Sequence, residues 1–344
     1  MHKEIFMSKI LTQLIEGHSL TQDQANEFFS QMIKGGIEPA LLASVLTALK
    51  IKGESPSEIA GAAVAIRRSA TTFPKQLSPV ADCVGTGGDG ANTINISTTA
   101  AILAATCGLK MAKHGNRSVS SMSGSADLLE ALGVNLMMSP QTASDCLAKA
   151  NLCFLYAPAY HPGFKHAAPV RKAMGIRTMF NILGPLVNPA QPSVMLLGVY
   201  IPELIETIAK TLMLTGVKRA WVVHGSGLDE IALHGSTQLT EINNGQLISK
   251  QISPTDFGLQ SYPLEAIKGG TPKENADIVK AILSGNGEQA HNAAVIINCA
   301  ALLYLHDKAN NLKDAAQMAR EVLASGKAAI TLATLVSVSN KEEK

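Results

Sequence analysis

Beyond about residue 75 the chain alternates short apolar runs with helical segments. The runs cover residues 82–84, 109–112, 152–156, 194–199 and 220–223. Runs this short and this apolar are typical of parallel strands in a sheet that is covered by helices on both faces. We therefore predict that residues 75–344 form a larger α/β domain with a mostly parallel central sheet.

The N-terminal part of the chain has a different pattern. Up to about residue 69 every periodic apolar segment has helical spacing, and no strand pattern intervenes. Capping patterns that mark helix starts begin at Thr21 and Ser55, and a third begins at Thr271. We predict a small all-helical domain over residues 1–74. An inserted helical or loop segment at about 161–192, rich in proline, glycine and basic residues, joins it in space.

The composition excludes several classes of protein. Lysine and arginine number 29 against 27 acidic residues, so a net charge of +2 gives no global field that would attract nucleic acid or an anionic membrane. The five cysteines are scattered and lack a C-x-x-C pattern, which argues against a disulfide framework or a zinc site. The sequence shows neither a signal peptide nor an apolar run near the ~18 residues of a membrane span. We expect a cytoplasmic protein.

A glycine-rich loop at residues 85–90 directly follows the first predicted strand. Its sequence, GTGGDG, lets backbone N–H groups approach an anion closely. A dinucleotide site would need an acidic residue about twenty positions later, but no Asp or Glu occurs between Gly90 and Ala126. No Lys-Ser or Lys-Thr closes the glycine run either, which excludes a P-loop.

The acid-free stretch after this loop concentrates hydrogen-bond donors instead. Residues 95–98 (NIST) precede a helix, residues 113–117 (KHGNR) follow the next strand, and residues 123–127 (SGSAD) open another helix. Helix N-termini and strand ends along one sheet edge are favourable places for phosphate groups. The combination predicts a site for an anion the size of a di- or triphosphate.

Two adjacent carboxylates, Asp229 and Glu230, follow the fifth apolar run. Magnesium usually takes one or two carboxylates and completes its shell with water and substrate phosphate oxygens. This pair is therefore the expected Mg²⁺ site beside the phosphate-binding loops.

The inserted segment carries candidates for a second substrate. Arg171 and Arg177 are candidate clamps for a carboxylate, because a guanidinium makes two parallel charge-assisted bonds. Gly184 and the proline after it predict a tight turn whose backbone passes close to a planar ring. His161 and His166 are expected to be solvated or hydrogen-bonded and not to bind metal.

Taken together, these motifs resemble the anthranilate phosphoribosyltransferase family, in order and over nearly the whole chain. The resemblance implies a helical N-terminal domain hinged to an α/β domain and a homodimer formed through the helical domain. It also implies transfer of a phosphoribosyl group from 5-phosphoribosyl 1-diphosphate to the amine of anthranilate, the third step of tryptophan synthesis from chorismate.

The resemblance also implies roles for individual residues, with no strong general base among them. The phosphoribosyl diphosphate site would comprise Gly85, Gly88, Asp89, Thr93, Asn95, Ile96, Ser97, Thr98, Lys113, His114, Gly115, Asn116, Arg117, Ser118, Val119, Ser120, Ser121 and Ser125. Anthranilate would meet Gly85, Asn116, Arg171 and Gly184, and Mg²⁺ would be held by Ser97, Asp229 and Glu230. One departure is Met122, where many relatives carry lysine.

Two other functions are compatible with this architecture. A class II pyrimidine nucleoside phosphorylase also breaks a ribose C1 bond, but it uses inorganic phosphate and needs no carboxylate pair for magnesium. A non-catalytic relative that binds nucleic acid would lose parts of the donor site and gain a basic surface.

Overall fold

A computed structural model describes residues 2–118 and 121–341. Its α-helices are α1 (His2–Ile15), α2 (Gln22–Ile33), α3 (Pro39–Lys52), α4 (Pro56–Arg68), α5 (Ile96–Thr106), α6 (Ser125–Ala131), α7 (Pro140–Ala150), α8 (Ala157–Tyr160), α9 (Ala168–Met174), α10 (Phe180–Leu183), α11 (Leu204–Leu214), α12 (Pro272–Leu283), α13 (Gln289–Leu305), α14 (Leu312–Ala324) and α15 (Lys327–Ser339). Its strands are β1 (Ala81–Gly85), β2 (Met111–Gly115), β3 (Leu152–Tyr156), β4 (Val194–Gly198), β5 (Arg219–Gly225), β6 (Thr237–Asn243) and β7 (Gln246–Ile252).

The predicted helix starts are confirmed by their caps. Thr21, Ser55 and Thr271 each accept a hydrogen bond from the backbone N–H three residues later, and each is followed by a helix. In each case the acidic or amide side chain three residues on bonds back to the cap, so two otherwise unpaired donors are satisfied. These helix ends are fixed by contacts within four residues of chain.

The seven strands form one sheet in the order β3-β2-β1-β4-β5-β6-β7. Strands β1 to β5 are parallel, as predicted. The antiparallel hairpin of β6 and β7 was not predicted, although its two-residue turn, Asn244-Gly245, is a strong hairpin signal. Both turn residues have positive φ, 49° and 85°, which Asn and Gly tolerate.

The hydrophobic core is divided by the sheet. Alternate residues of a strand point to opposite faces, so Trp221 joins the cluster of α5, α7 and α12–α15, whereas Val222 joins the cluster of α1–α4 and α11. The inserted segment contributes Val170 and Phe180 to this second cluster. The helical N-terminal part therefore packs on one sheet face together with the inserted segment. The boundary at residue 74 stays a prediction.

The strand order indicates where a ligand site can lie. Strand β1 lies between β2 and β4, so the chain connections run to opposite sides of β1. This reversal opens a crevice beyond the strand ends, where α/β sheets bind ligands.

Among the described residues no single helix is long and apolar enough to cross a membrane, and α14 with α15 reaches that length only as a pair bent by 70°.

Candidate active site

A cleft of about 860 Å³ lies beyond the carboxyl ends of the parallel strands. The predicted site residues that the structure describes all line it: Gly85, Gly88, Asp89, Thr93, Asn95, Ile96, Ser97, Thr98, Lys113, His114, Gly115, Asn116, Arg117, Ser118, Ser121, Ser125, Arg171, Gly184, Asp229 and Glu230. Val119 and Ser120 lie outside the described residues. Met122 and Arg177 also line the cleft.

Asp229 and Glu230 lie in a turn after β5, called here the acidic turn, and this turn packs against the ends of β1 and β4. Oδ2 of Asp229 accepts a hydrogen bond of 2.6 Å from the N–H of Gly87 in the glycine loop. A Cβ at Gly85 would collide with the Asp229 carboxylate, and one at Gly198 would collide with the Asp229 backbone. Gly85 and Gly198 are register partners in the sheet. Glycine at both strand ends therefore makes room for Asp229, at Gly85 for its carboxylate and at Gly198 for its backbone.

The second carboxylate contacts the N-terminus of α5. Oε1 of Glu230 accepts a hydrogen bond of 3.1 Å from the N–H of Ser97, in the first turn of that helix. The turn that carries Asp229 and Glu230 thus touches both the glycine loop and a helix N-terminus, two of the four segments predicted to bind an anion. Gly87 and Asp229 are 142 residues apart in the sequence, and Ser97 and Glu230 are 133 residues apart.

Both carboxylates lack sufficient positive charge in the protein itself. Burial, reinforced by Asp89, raises the pKa of Asp229 to about 7. Burial, reinforced by Asp229, raises the pKa of Glu230 to about 8 despite the opposing effects of Lys113 and Ser97. A bound cation would relieve this desolvation and repulsion.

The donor set suits magnesium better than a transition metal. Across residues 2–118 and 121–341 no group of three or more His, Cys, Asp or Glu side chains could hold a metal ion. Zinc prefers such closed sets, whereas Mg²⁺ is held by one or two carboxylates together with phosphate oxygens and water. The Ser97 hydroxyl and the two carboxylates therefore fit Mg²⁺ that also contacts a phosphorylated ligand.

The residues around the start of α5 differ in whether their side chains are available to a ligand. The Asn95 side chain is already used, because Nδ2 donates to the Ser123 carbonyl at 3.0 Å and Oδ1 accepts from Asn275 at 2.8 Å. Ile96 packs into the hydrophobic core and is 2% exposed, so only its backbone is available to a ligand. The side chain of Ser97 remains at the cleft.

Strand β2 delivers two buried polar side chains. Lys113 is 3% exposed, and its Nζ donates to the Cys83 carbonyl at 2.6 Å. Burial lowers the pKa of His114 to about 3, so its ring is neutral at pH 7. Nδ1 of His114 lies 3.1 Å from the Gly184 carbonyl, which can only accept, so Nδ1 carries the proton. Nε2 then presents a lone pair and has no partner among the described residues.

Arg117 has its charge compensated within the protein. Its guanidinium bonds Glu130 at 2.7 and 2.8 Å and Asp127 at 3.0 Å. These bonds, led by that to Glu130, raise the arginine pKa. The Ser118 N–H also donates to Asp127, at 2.9 Å. Arg117 lines the cleft, but a ligand phosphate would have to compete with two carboxylates for it.

The opposite wall of the cleft is aromatic, and one expectation about it is corrected. His161, predicted to be solvated or hydrogen-bonded, is 4% exposed, so the solvated alternative is wrong, whereas its backbone contact with Val187 supports the hydrogen-bonded one. It packs edge-on against His114 with ring centroids 5.1 Å apart, and against Phe164 at 5.8 Å. Burial lowers its pKa to about 4, so packing the neutral ring carries no charge penalty. His166 is exposed.

Arg171 lies at the end of this aromatic row. Its Cζ is 5.1 Å from the centroid of Phe180, which itself contacts Phe164 at 5.7 Å. Burial lowers the Arg171 pKa. In contrast to Arg117, its guanidinium has no carboxylate within 4.0 Å among the described side chains, so its donors remain available to an acidic ligand.

Gly184 begins a short 3-10 helix, Gly184–Leu186, at the floor of the cleft. Its φ of −49° is open to every residue type, and a Cβ there would meet no atom within 4 Å. The backbone therefore does not require glycine. What glycine provides at this position is open space beside its Cα.

Other residues that shape the cleft were assigned differently or were not predicted. Arg177, a candidate carboxylate clamp, instead donates to the Gly88 carbonyl at 2.8 Å and stacks on Tyr200 at 4.5 Å. Asn275, which was missed, bonds both Asn95 and the Gly270 N–H, each at 2.8 Å. The Gly-Gly pair before the capped helix α12 was the sequence signal that could have pointed to Asn275. In the structure a Cβ at either glycine would collide with its surroundings.

Asn188 was also missed. It is buried, and its Nδ2 donates to Asp82 on β1 at 2.8 Å and to the Ala112 carbonyl on β2 at 2.7 Å. It thereby ties the segment after Gly184 to the two strands that lead into the donor loops. Nothing local in the sequence distinguishes this asparagine from a surface turn residue.

Comparison with known proteins matches both parts of the chain. A model described as the helical bundle domain of a glycosyl transferase family matches residues 8–70, and the a/b domain of that family matches residues 77–329. An anthranilate phosphoribosyltransferase from Colwellia psychrerythraea is 72% identical over 338 residues, which cover 98% of this chain and 93% of that protein.

Solved structures agree with the sequence relatives. The crystal structure of anthranilate phosphoribosyltransferase from Thermus thermophilus is 40% identical with a TM-score of 0.92, over 96% of this chain and 99% of the other. The enzyme from Saccharomyces cerevisiae in complex with PRPP and Mg is 32% identical with a TM-score of 0.89, over 98% of each chain. Similarity of this extent, through both the helical bundle and the α/β part, shows that the chain belongs to the anthranilate phosphoribosyltransferase family.

Proposed function

We propose that the protein transfers the phosphoribosyl group of 5-phosphoribosyl 1-diphosphate to the amine of anthranilate, giving N-(5-phosphoribosyl)anthranilate and diphosphate in tryptophan synthesis. The observation that carries this proposal is the position of the acidic turn. Asp229 is bonded to Gly87 and Glu230 to Ser97, so a carboxylate pair lies against both a glycine loop and a helix N-terminus. A polyphosphate with a divalent cation satisfies both halves of that arrangement.

The phosphates of the donor are assigned to the glycine loop, the start of α5 and the segment from Lys113 to Ser125. Their backbone N–H groups, hydroxyls and the Lys113 ammonium supply positive potential for the phosphates. The Asn95 side chain positions this site through Ser123 and Asn275, so its contact with the donor is assigned to the backbone.

Ser97, Asp229 and Glu230 are assigned to hold Mg²⁺. When bound, the ion neutralises negative charge that develops on the departing diphosphate. The protein prepares this site by burying two carboxylates whose pKa values are raised by burial and by repulsion from neighbouring carboxylates.

Anthranilate is assigned to the wall formed by Arg171, Asn116, Gly85 and Gly184. Arg171 would bind the carboxylate, because its guanidinium has no competing acid among the described side chains, and the empty space at Gly184 accepts a flat ring. The amine of anthranilate is uncharged at pH 7 and already carries a lone pair, so no strong base is needed. His114, with a pKa of about 3, is neutral at pH 7 and its Nε2 is buried, so it is not assigned as a base for this proton.

The expected chemistry is a dissociative displacement at the ribose C1. The bond from C1 to the diphosphate oxygen breaks, and that oxygen keeps the electron pair. The nitrogen of anthranilate forms the new bond to C1 with inversion, and its proton passes to the departing diphosphate or to water. Fixed hydrogen-bond donors aimed at the leaving group and in-line placement of the amine supply the catalysis. Kinetic isotope effects that show little C1–O cleavage in the transition state would contradict this mechanism.

The two competing functions have less support. A pyrimidine nucleoside phosphorylase needs no carboxylate pair, and here that pair is built into the cleft. A nucleic-acid-binding relative would carry a basic surface, whereas the net charge is +2. The relatives reported above are named as anthranilate phosphoribosyltransferases.

The assembly and location follow as parts of the same proposal. A homodimer through the helical domain would cover Ile15 and Ile51, which end the packed helices α1 and α3 and are 71% and 83% exposed. The domain division near residue 74 with a hinge would let the inserted segment bring the acceptor to the donor and exclude water. A cytoplasmic location suits the five cysteines, all of which are free thiols.

The direct test is loss of anthranilate fluorescence after addition of 5-phosphoribosyl 1-diphosphate and Mg²⁺. We expect loss only when protein, donor and metal are all present, with diphosphate released in equal amount. Phosphate-dependent cleavage of a pyrimidine nucleoside would support the first competitor, and binding of single-stranded DNA without turnover would support the second.

A further inference from the structure

Asn298 is a buried polar residue in the middle of the apolar helix α13. It is 0% exposed, and its neighbours along the helix, from Ala293 to Leu303, are buried apolar residues. A buried amide is costly unless its donors and acceptor are bonded. A leucine at this position would have a higher helix propensity and would bury more apolar surface. The helix itself therefore gives no reason for an asparagine.

The Asn298 side chain bonds the backbone of the acidic turn. Its Oδ1 accepts from the N–H of Ile231 at 3.1 Å, and its Nδ2 lies 3.5 Å from the carbonyl of the same residue. Nδ2 also donates to the Ala294 carbonyl one helical turn earlier, at 2.9 Å. The side-chain amide thus pairs with both polar backbone groups of Ile231, as a neighbouring strand would.

Ile231 follows Glu230 directly and lies outside the sheet, because β5 has ended at Gly225. The backbone here is held instead by side chains, since Thr237 accepts from the N–H of Ala232 at 3.0 Å. Asn298 therefore fixes the turn immediately beyond Glu230. The two bonds on the other side of the turn go from Gly87 and Ser97 to the carboxylates themselves.

We propose that Asn298 is a positioning residue for the divalent-cation site, acting by holding the 229–231 turn in place against the start of α5. The inference rests on the proposed role of Asp229 and Glu230 as metal ligands. Partners that orient metal ligands commonly contribute about 10- to 100-fold to metal affinity or activity. Loss of the Asn298 amide is expected to weaken the metal site while leaving Arg171, which lies on the inserted segment, in place to bind the carboxylate of anthranilate.

The test uses the full-length protein with Mn²⁺ and inorganic diphosphate as probes. Mn²⁺ binding is followed by electron paramagnetic resonance in Asn298→Leu, Asn298→Asp and Asn292→Leu. Asn292 is the matched control because it lies on the same helix but bonds the Gly287 carbonyl at 2.9 Å, away from the turn. Asn298→Asp keeps the acceptor for Ile231 and provides a second variant should the leucine variant fail to fold.

We expect about a 10- to 100-fold weaker Mn²⁺ affinity for Asn298→Leu, a smaller loss for Asn298→Asp and none for Asn292→Leu. The KM for anthranilate should change by less than about twofold in all three, because none of these changes touches Arg171, which binds the carboxylate of anthranilate. Folded Asn298 variants that bind Mn²⁺ like the unmodified protein would overturn the proposal. Equal losses in Mn²⁺ affinity and anthranilate KM would also overturn it, because they indicate general loosening of the fold.

Glu230→Gln separates failure of this inference from failure of the underlying assignment. If Glu230→Gln leaves Mn²⁺ binding unchanged, the metal role of the turn is wrong. If Glu230→Gln weakens binding, the loss in the double variant with Asn298→Leu should be smaller than the sum of the two single losses, because both changes act on the same turn. Additive losses would mean that Asn298 acts elsewhere.

Discussion

The N–H of Gly87 donates a 2.6 Å hydrogen bond to the carboxylate of Asp229, across 142 residues of sequence. This bond joins the glycine loop to a carboxylate whose burial raises its pKa to about 7. It also explains why the strand before the loop ends in glycine, since a side chain at Gly85 would occupy the position of the carboxylate. The relationship leads to predictions about each wall of the cleft.

Gly85→Ala should displace the Asp229 carboxylate. We expect a loss on the order of 100-fold in kcat/KM for the donor, because small displacements of groups that position reactants have effects of this size. Steady-state kinetics with varied 5-phosphoribosyl 1-diphosphate measure this. The control is Gly216→Ala, at a positive φ of 90° in the α11–β5 loop, remote from the cleft. Its cost of about 1–2 kcal/mol should appear in stability alone, and a normal donor KM in Gly85→Ala would contradict the argument.

Gly184→Ala should affect binding of the acceptor without harming the fold. The residue has an ordinary φ and open space around its Cα, so alanine should leave stability unchanged or raise it by about 0.4–1 kcal/mol. The KM for anthranilate should rise because the methyl group occupies the space for the ring. Thermal unfolding and kinetics on the same preparation check both parts, and a large fall in Tm would show that glycine is needed by the backbone after all.

Arg171 and Arg177 should have separable roles. Arg171→Ala removes charge-assisted bonds of about 1.5–3 kcal/mol and should raise the anthranilate KM about 10- to 100-fold. Arg177→Ala removes the bond to the Gly88 carbonyl and should act mainly on the donor KM. Kinetics with each substrate varied in turn measure the separation. An unchanged anthranilate KM in Arg171→Ala would remove this residue from the clamp.

Metal binding should depend on pH through Asp229 and Glu230. Their pKa values are raised to about 7 and about 8, so the metal-free folded protein holds more protons than the unfolded chain above about pH 4. The contribution of these protonated groups to stability is full below that pH and is lost as the pH rises to about 8. Mg²⁺ with diphosphate competes with these protons and should therefore stabilise the protein more at pH 8 than at pH 6. Thermal unfolding with and without both ligands measures this, and Asp229→Asn with Glu230→Gln should abolish the trend.

Met122→Lys should strengthen binding of the donor. Met122 is 54% exposed at the cleft, so an added ammonium would gain about 0.5–1 kcal/mol, or roughly a 2- to 5-fold lower donor KM. The gain should disappear in ~1 M salt, where charges are screened within about 3 Å. A gain that persists at high salt would indicate a contact other than electrostatic attraction.

The types of the main elements and several of their ends could be predicted from sequence because they depend on neighbours along the chain. Thr21, Ser55 and Thr271 cap helices through bonds that span three residues. The five parallel strands followed from the apolar runs. The hairpin of β6 and β7 was missed although Asn244-Gly245 signals it, since no continuous apolar run marks these strands.

The sequence by itself determined where anion-binding chemistry lies, because glycine loops, helix caps and runs without acids are local features. Only the tertiary structure decided which groups still need a partner. Arg117 is neutralised by Glu130 whereas Arg171 is not, His161 is buried, and Asn298 holds a turn 67 residues away. Charge compensation and burial depend on distances in the folded chain, and residue order along the sequence does not give those distances.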